Sequence, residues 1–299
     1  MIKSYIQAAR LRTLPLSISG IIVAGFLAEY GGYFQWGILS LSLATTITFQ
    51  ILSNFANDYG DGVKGTDNEN RIGPERAIQS GAISPNQMKS AIKITSMISL
   101  VLAIALIYLA FGYKQFWYAL LFLTLGIASI WAAIKYTVGE SAYGYRGLGD
   151  VFVFLFFGGL SVLGGYFLYD QHFIWNYCLP AISVGLLSTA VLNLNNMRDF
   201  NSDRASKKNT VVVKLGIKKA KVYHSLLILI PLVCSLWFNF NSNLNSPLNF
   251  LYLIAFIPLI IHLIKVWKTK DLKDLDPELK KVALSTFLYA ILFGLAILG

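Results

Sequence analysis

Charge is what this sequence has least of. Only 13 % of its 299 residues are charged while 56 % are hydrophobic, and the mean hydropathy is +0.59, far from the balance of a soluble domain. Cysteine is nearly absent too: Cys178 and Cys234 both lie inside apolar runs, which excludes a disulfide framework and leaves the thiols as small hydrophobes. The three histidines, His172, His224 and His262, are scattered and complete no zinc-like spacing. Acids are fewer than bases, 15 against 25, for a formal net charge of +10. The bases form no aromatic-interleaved patch, so no nucleic-acid partner is expected. Strands alternating polar and apolar residues over about ten positions, as a membrane β-barrel needs, are missing as well.

What the chain does have is apolar length. Nine stretches are long enough for a hydrocarbon core that takes roughly 20 helical residues to cross. They run near Leu14 to Ala28, Gly37 to Ala56, Ala91 to Phe111, Phe116 to Ile134, Val151 to Tyr169, Trp175 to Asn196, Val222 to Phe240, Leu248 to Trp267 and Val282 to Leu298. The expected fold is all-α, a polytopic bundle of nine transmembrane helices forming one domain over residues 1–299. Lys3, Arg10 and Arg12 precede the first stretch with no small-residue cleavage site after it, so it reads as a retained helix. Lysine and arginine orient the bundle, because cytoplasmic segments retain them. The N-terminus and alternate connections hold 24 of the 25, and Lys114 alone falls on the other side. This places the N-terminus in the cytoplasm and the C-terminus outside, and most of the net charge becomes topology, with attraction to anionic membrane lipid as a by-product.

The connections on the basic side are also the long ones, and long structured loops tend to carry function. Two of them resemble each other, with motifs at residues 54–81 and 195–216 that divide the chain into two pseudo-repeated halves. The second span ends in "NFANDYGD", with Asn54, Asp58 and Asp61 at i, i+4 and i+7. The sixth ends in "NLNNMRDFNSD", with Asn195, Asp199 and Asp203 at i, i+4 and i+8. On a 3.6-residue helix each set shares a face. A basic segment follows each, Arg71 and Arg76 in one, Arg204, Lys207 and Lys208 in the other.

Carboxylates at the end of a membrane helix cost free energy unless they meet water, a partner or an ion. Capping does not explain them, since a helix C-terminus disfavours negative charge by several tenths of a kcal/mol. Oxygen donors without histidine or cysteine suit a hard cation, and Mg²⁺ takes one or two carboxylates and leaves its other positions to water and substrate phosphate. Asp58, Asp61, Asp199 and Asp203 are therefore the candidate metal-binding and catalytic acids, with Asp67 as a further ligand. Asn54, Arg76, Asn195 and Lys208 are the candidates for a diphosphate. A divalent-cation transporter is the rival reading; it predicts acids near the bilayer midplane and on both sides of it.

At these residues the chain resembles the UbiA superfamily of intramembrane prenyltransferases, whose members have nine transmembrane helices and two aspartate-rich motifs on the cytoplasmic side. Four segments between residues 12 and 216 carry the likeness: "RTLPLS", "NDYGDGVKGTDNENRIGPERAIQSG", "YTVGESAYGYRGLGDVFVFLFFG" and "NNMRDFNSDRASKKNTVVVKLG". The third segment and the extended first motif are similar to the branch acting on 1,4-dihydroxy-2-naphthoate in menaquinone biosynthesis. The resemblance implies Mg²⁺-dependent transfer of a polyprenyl chain from polyprenyl diphosphate to that acceptor, or to another aromatic such as 4-hydroxybenzoate, in a bacterial inner membrane. With the naphthoate, CO2 and diphosphate leave and demethylmenaquinol forms. Tyr136, Tyr145 and Arg146 are candidates for the acceptor or prenyl pocket, with Tyr143, Phe152, Phe156 and Phe157 as further wall residues. Many members carry Lys four residues after the tyrosine that follows the fourth span, where this chain has Glu140. The glycine-rich "FFGGLSVLGG" reads as a place where helices approach closely rather than as substrate contact.

Overall fold

The computed structural model describes residues 2–65 and 76–299, so Asp67 and Arg71 lie outside the described residues. Among the described residues, nine helical segments are long and apolar enough to cross a membrane: α1 Ile2–Tyr30, α2 Trp36–Val63, α3 Pro85–Phe111, α4 Phe116–Lys135, α5 Gly149–Asp170, α6 Trp175–Arg198, α7 Ile217–Asn241, α8 Pro247–Lys268 and α9 Leu272–Leu298. The chain is an integral membrane protein of all-α fold. α1 is broken at Arg10, whose left-handed backbone (φ 49°, ψ 56°) lets Ile2–Ala9 turn aside before Leu14–Tyr30 starts with Pro15 in its first turn. α3 starts sharply because Ser84 and Gln87 form a capping box around Pro85.

α6 is the most enclosed helix, packed against α5, α7 and α9. Lipid supplies no hydrophobic drive between helices, so close approach of backbones has to do the work. At Gly158 of α5 a Cβ would stand 2.5 Å from the Ala181 carbonyl oxygen of α6, closer than any side chain allows. The outward faces of α3 and α4 expose Ile94, Met97, Val101, Trp117, Leu121 and Trp131, which suits hydrocarbon rather than water.

α2 runs to Val63 and carries Asp58 and Asp61 in its last two turns, as the shared helical face of the first motif predicts. Two features depart from the sequence expectations. The i, i+4, i+8 set of the second motif is not one helix: α6 ends at Arg198, and Asp199 (φ −91°, ψ 10°) joins it to a short helix over Phe200–Ala205. α5 is π-helical over Phe154–Gly164, a form that usually marks functional positions.

The scattered histidines also meet. His224 of α7 and His262 of α8 stand with their Nε2 atoms 2.8 Å apart, each buried. His262 Nδ1 lies 2.7 Å from Glu278 Oε2 of α9, His224 Nδ1 lies 3.2 Å from Asn193 Oδ1 of α6, and Lys281 donates to Glu278 Oε1 at 2.5 Å. Four helices are thus joined by one buried polar chain near the ends that carry the basic connections.

Candidate active site

α2 brings Asp58 and Asp61 to that basic end, both buried. Asp58 Oδ2 accepts from the backbone N–H of Ala77 at 3.2 Å, which returns the chain to α2 and sets Arg76 beside the first motif. Gly60 lets the segment after α4 come equally close, since a Cβ there would stand 2.5 Å from Thr137 Oγ1. Thr137 donates to the Ala56 carbonyl at 3.0 Å and to Asn57 Oδ1 at 3.3 Å. The turn Tyr143–Arg146 then places the Tyr145 hydroxyl on Asp61, donating to Oδ1 at 2.8 Å.

Lys208 joins the second motif to the first. Its Nζ lies 3.6 Å from Asp203 Oδ1 and 5.5 Å from the centroid of the Tyr145 ring. The Tyr145 carbonyl accepts from the backbone N–H of Asn209 at 3.0 Å, so the connection after α6 is tied to the one after α4. Burial alone would lower the Lys208 pKa, but the carboxylates of Asp61 and Asp203 outweigh it and hold the ammonium above its ordinary value. Burial pushes the Asp203 carboxyl up to about 6, with Lys208 opposing and the charges of Asp199 and Asp61 adding to the rise. Asp203 Oδ2 is buried and has no hydrogen-bond partner among the described residues. A buried carboxylate oxygen left open in the field of Asp61 and Asp199 offers one ligand to a hard divalent cation, with the Lys208 ammonium beside it. Among the described residues no three acids are gathered closely enough to complete such a site.

Asp199 stands next to this group but is engaged elsewhere. Arg198 grips it with a two-pronged pair, Nε to Oδ1 at 2.8 Å and Nη2 to Oδ2 at 2.7 Å, and donates to Asn195 Oδ1 at 2.9 Å as well. Asn54 uses its amide N–H groups on α1, donating to the Ala9 carbonyl at 2.8 Å and to Thr13 Oγ1 at 3.3 Å. Arg146 is exposed, and its carbonyl accepts from Lys214 at 2.8 Å.

An apolar cavity of about 350 Å³ lies between α1, α2, α3, α4 and α5. Phe122, Phe152, Phe156, Phe157 and Leu160 line it, with Gln50, Asn57, Tyr136 and Tyr143 and several serines and threonines among its polar members. Tyr136 belongs to both regions. Burial pushes its phenol up to about 12, and it feels the charges of Lys208, Asp150, Asp61 and Asp203. The glycine-rich stretch does both jobs: Gly158 packs on α6, while Gly164 and Gly165 line the cavity. Tyr145 lies outside the cavity wall, on the charged side.

The sequence reading passed over Lys64, Arg198 and Asp276. Lys64 Nζ sits 4.1 Å from the Tyr145 ring centroid, and burial lowers its pKa against the pull of Asp61. Its position three residues after Asp61, capping the same helix, is a usable signal. Arg198 directly precedes Asp199, and that adjacency is its one local signal. Asp276 is 78 residues from the arginine it meets, and nothing local in the sequence announces the contact.

The model of the UbiA prenyltransferase family matches residues 18–296. The 1,4-dihydroxy-2-naphthoate octaprenyltransferase of Escherichia coli (strain K12) is 43 % identical over 99 % of this chain and 95 % of its own length. The enzyme of the same description from Haemophilus influenzae is 42 % identical over 99 % of this chain and 96 % of its own. A solved UbiA homolog from Archaeoglobus fulgidus bound to DMAPP and Mg²⁺ shares the fold, with a TM-score of 0.62 at 14 % identity over 97 % of this chain and 99 % of that one.

Proposed function

The chain belongs to the UbiA prenyltransferase family, and from that premise we propose that it transfers a polyprenyl chain from polyprenyl diphosphate to 1,4-dihydroxy-2-naphthoate, releasing CO2 and diphosphate and giving demethylmenaquinol. One observation carries the reading beyond likeness. Acids from both motifs, Asp61 and Asp203, flank one half-buried lysine, and Tyr136 connects that cluster to an aromatic cavity inside the bundle.

Asp58, Asp61, Asp199 and Asp203 would hold the divalent cations, with Asp67 as a further ligand. Mg²⁺, when bound, would neutralise diphosphate oxygens as charge develops on the leaving group. Lys208, Lys64 and Arg76 are the cations this chain itself offers to the remaining phosphate charge, with Asn195 beside them. Lys64 provides the second lysine that Glu140 does not. Tyr145 holds Asp61 in place, and the cavity receives the prenyl chain, whose transfer to water would cost about 0.8 kcal/mol per CH₂.

The carbon–oxygen bond of the allylic diphosphate breaks toward the phosphate. The aromatic faces of the cavity shield the resulting allyl cation from water and stabilise it modestly. The ring carbon carrying the carboxylate attacks, and loss of CO2 returns the electron pair to the ring, so no oxidant or external base is needed. The site opens to the cytoplasm of a bacterial inner membrane in this reading. Purified protein in detergent, given a prenyl diphosphate, Mg²⁺ and a panel of acceptors, should prenylate the naphthoate in preference to 4-hydroxybenzoate. The opposite preference refutes the acceptor assignment, and no transfer to any acceptor by folded protein refutes the whole reading.

A further inference from the structure

Arg198 is a buried cation between two carboxylates. Its side chain is 4 % exposed, and besides gripping Asp199 it donates from Nη1 to Asp276 Oδ1 at 2.5 Å, a residue in the first turn of the last helix and 43 % exposed. An acid in a first turn is favourable for its helix whatever it touches. That does not account for a contact reaching across 78 residues to the residue preceding Asp199.

We propose that Asp276 is a positioning residue for the second motif: it shares Arg198 with Asp199, so that Asp199 can accept a divalent cation without leaving a buried guanidinium uncompensated. The proposal rests on the reading of Asp199 as a cation ligand. If Asp199 were the sole counter-ion of Arg198, a cation arriving at Asp199 would draw its charge away from a bidentate buried pair, at the cost such disruption carries. With Asp276 present, the trio of Asp276, Arg198 and Asp199 has one carboxylate in surplus. Each oxygen of Asp199 accepts a single N–H from Arg198, and a carboxylate oxygen has room for a second partner. The guanidinium therefore fixes the direction of the carboxylate, and Asp276 tempers its charge.

The experiment measures Mn²⁺ binding by the full chain in detergent, following free Mn²⁺ by electron paramagnetic resonance, together with thermal melting and the Mg²⁺ dependence of prenyl transfer. D276N should raise the Mn²⁺ concentration for half-occupancy about tenfold, the scale of one charge-assisted hydrogen bond. It should also raise the Mg²⁺ needed for half-maximal rate more than it lowers the saturated rate. In an R198Q background, D276N should change Mn²⁺ binding no further, because Asp276 acts through Arg198. D276S is the second variant, should D276N not fold. Unchanged Mn²⁺ binding in D276N, whether or not melting falls, overturns the proposal, as does a penalty that persists in full with R198Q. D199N separates the premise: weakened binding there with none in D276N sinks only this proposal, and wild-type binding in D199N sinks the ligand reading and the proposal with it.

Discussion

Tyr145 does more than a residue in a short turn between helices usually does. Its hydroxyl orients Asp61, its ring lies under Lys64 and Lys208, and its carbonyl receives the Asn209 N–H from the second motif's connection. Removing only the hydroxyl should cost the orientation of one carboxylate and little of the packing. Y145F should therefore lower prenyl transfer about tenfold, the usual worth of a hydrogen bond to a charged group, with the melting temperature near wild type. A transfer rate equal to wild type would show that Asp61 needs no second support. The sequence could name Tyr145 only as a pocket wall. Its actual neighbours are set by the Gly60–Thr137 approach, a contact between segments about 80 positions apart that no local pattern encodes.

At the scale of elements, periodicity and length located the spans, because a bilayer demands long apolar runs and leaves them uninterrupted. What escaped were places where backbone and charge meet across helices. The end of α2 did not escape: its apolar run stops at Ala56, but the i, i+4, i+7 spacing of Asn54, Asp58 and Asp61 carries the helix on for two more turns, since polar side chains do not stop a helix. The π-helical run in α5 has no compositional mark beyond glycine. The Asn193, His224, His262, Glu278 chain was invisible for the same reason as Asp276: its members are individually ordinary and only tertiary packing gathers them. This chain has a testable weight. H262L removes the partner of two buried groups at once and should destabilise the protein by about 3 kcal/mol. Thermal inactivation in detergent measures it, with H262Q, which keeps a donor and an acceptor, expected between H262L and wild type. If H262L melts like the parent, the chain is incidental to the packing of α6 to α9.

For the whole molecule, the basic ends of the helices are drawn into one assembly. Lys221 of α7 donates to the Thr269 carbonyl after α8, Arg198 of α6 reaches Asp276 of α9, and the connections after α4 and α6 meet at Tyr145. The 24 bases on that side and Lys114 on the other make opposite predictions for the two faces of the membrane. With Cys178 and Cys234 replaced by alanine, a K114C variant should react with a membrane-impermeant maleimide in intact cells, and K219C only after permeabilisation. Lys219 lies at the start of α7, outside the acid cluster, so the label reports orientation and not site chemistry. The reverse pattern would turn the site outward, away from the cytoplasm from which the proposed function draws its acceptor. It would break the proposed function at its supply of substrate even with every residue of the site in place.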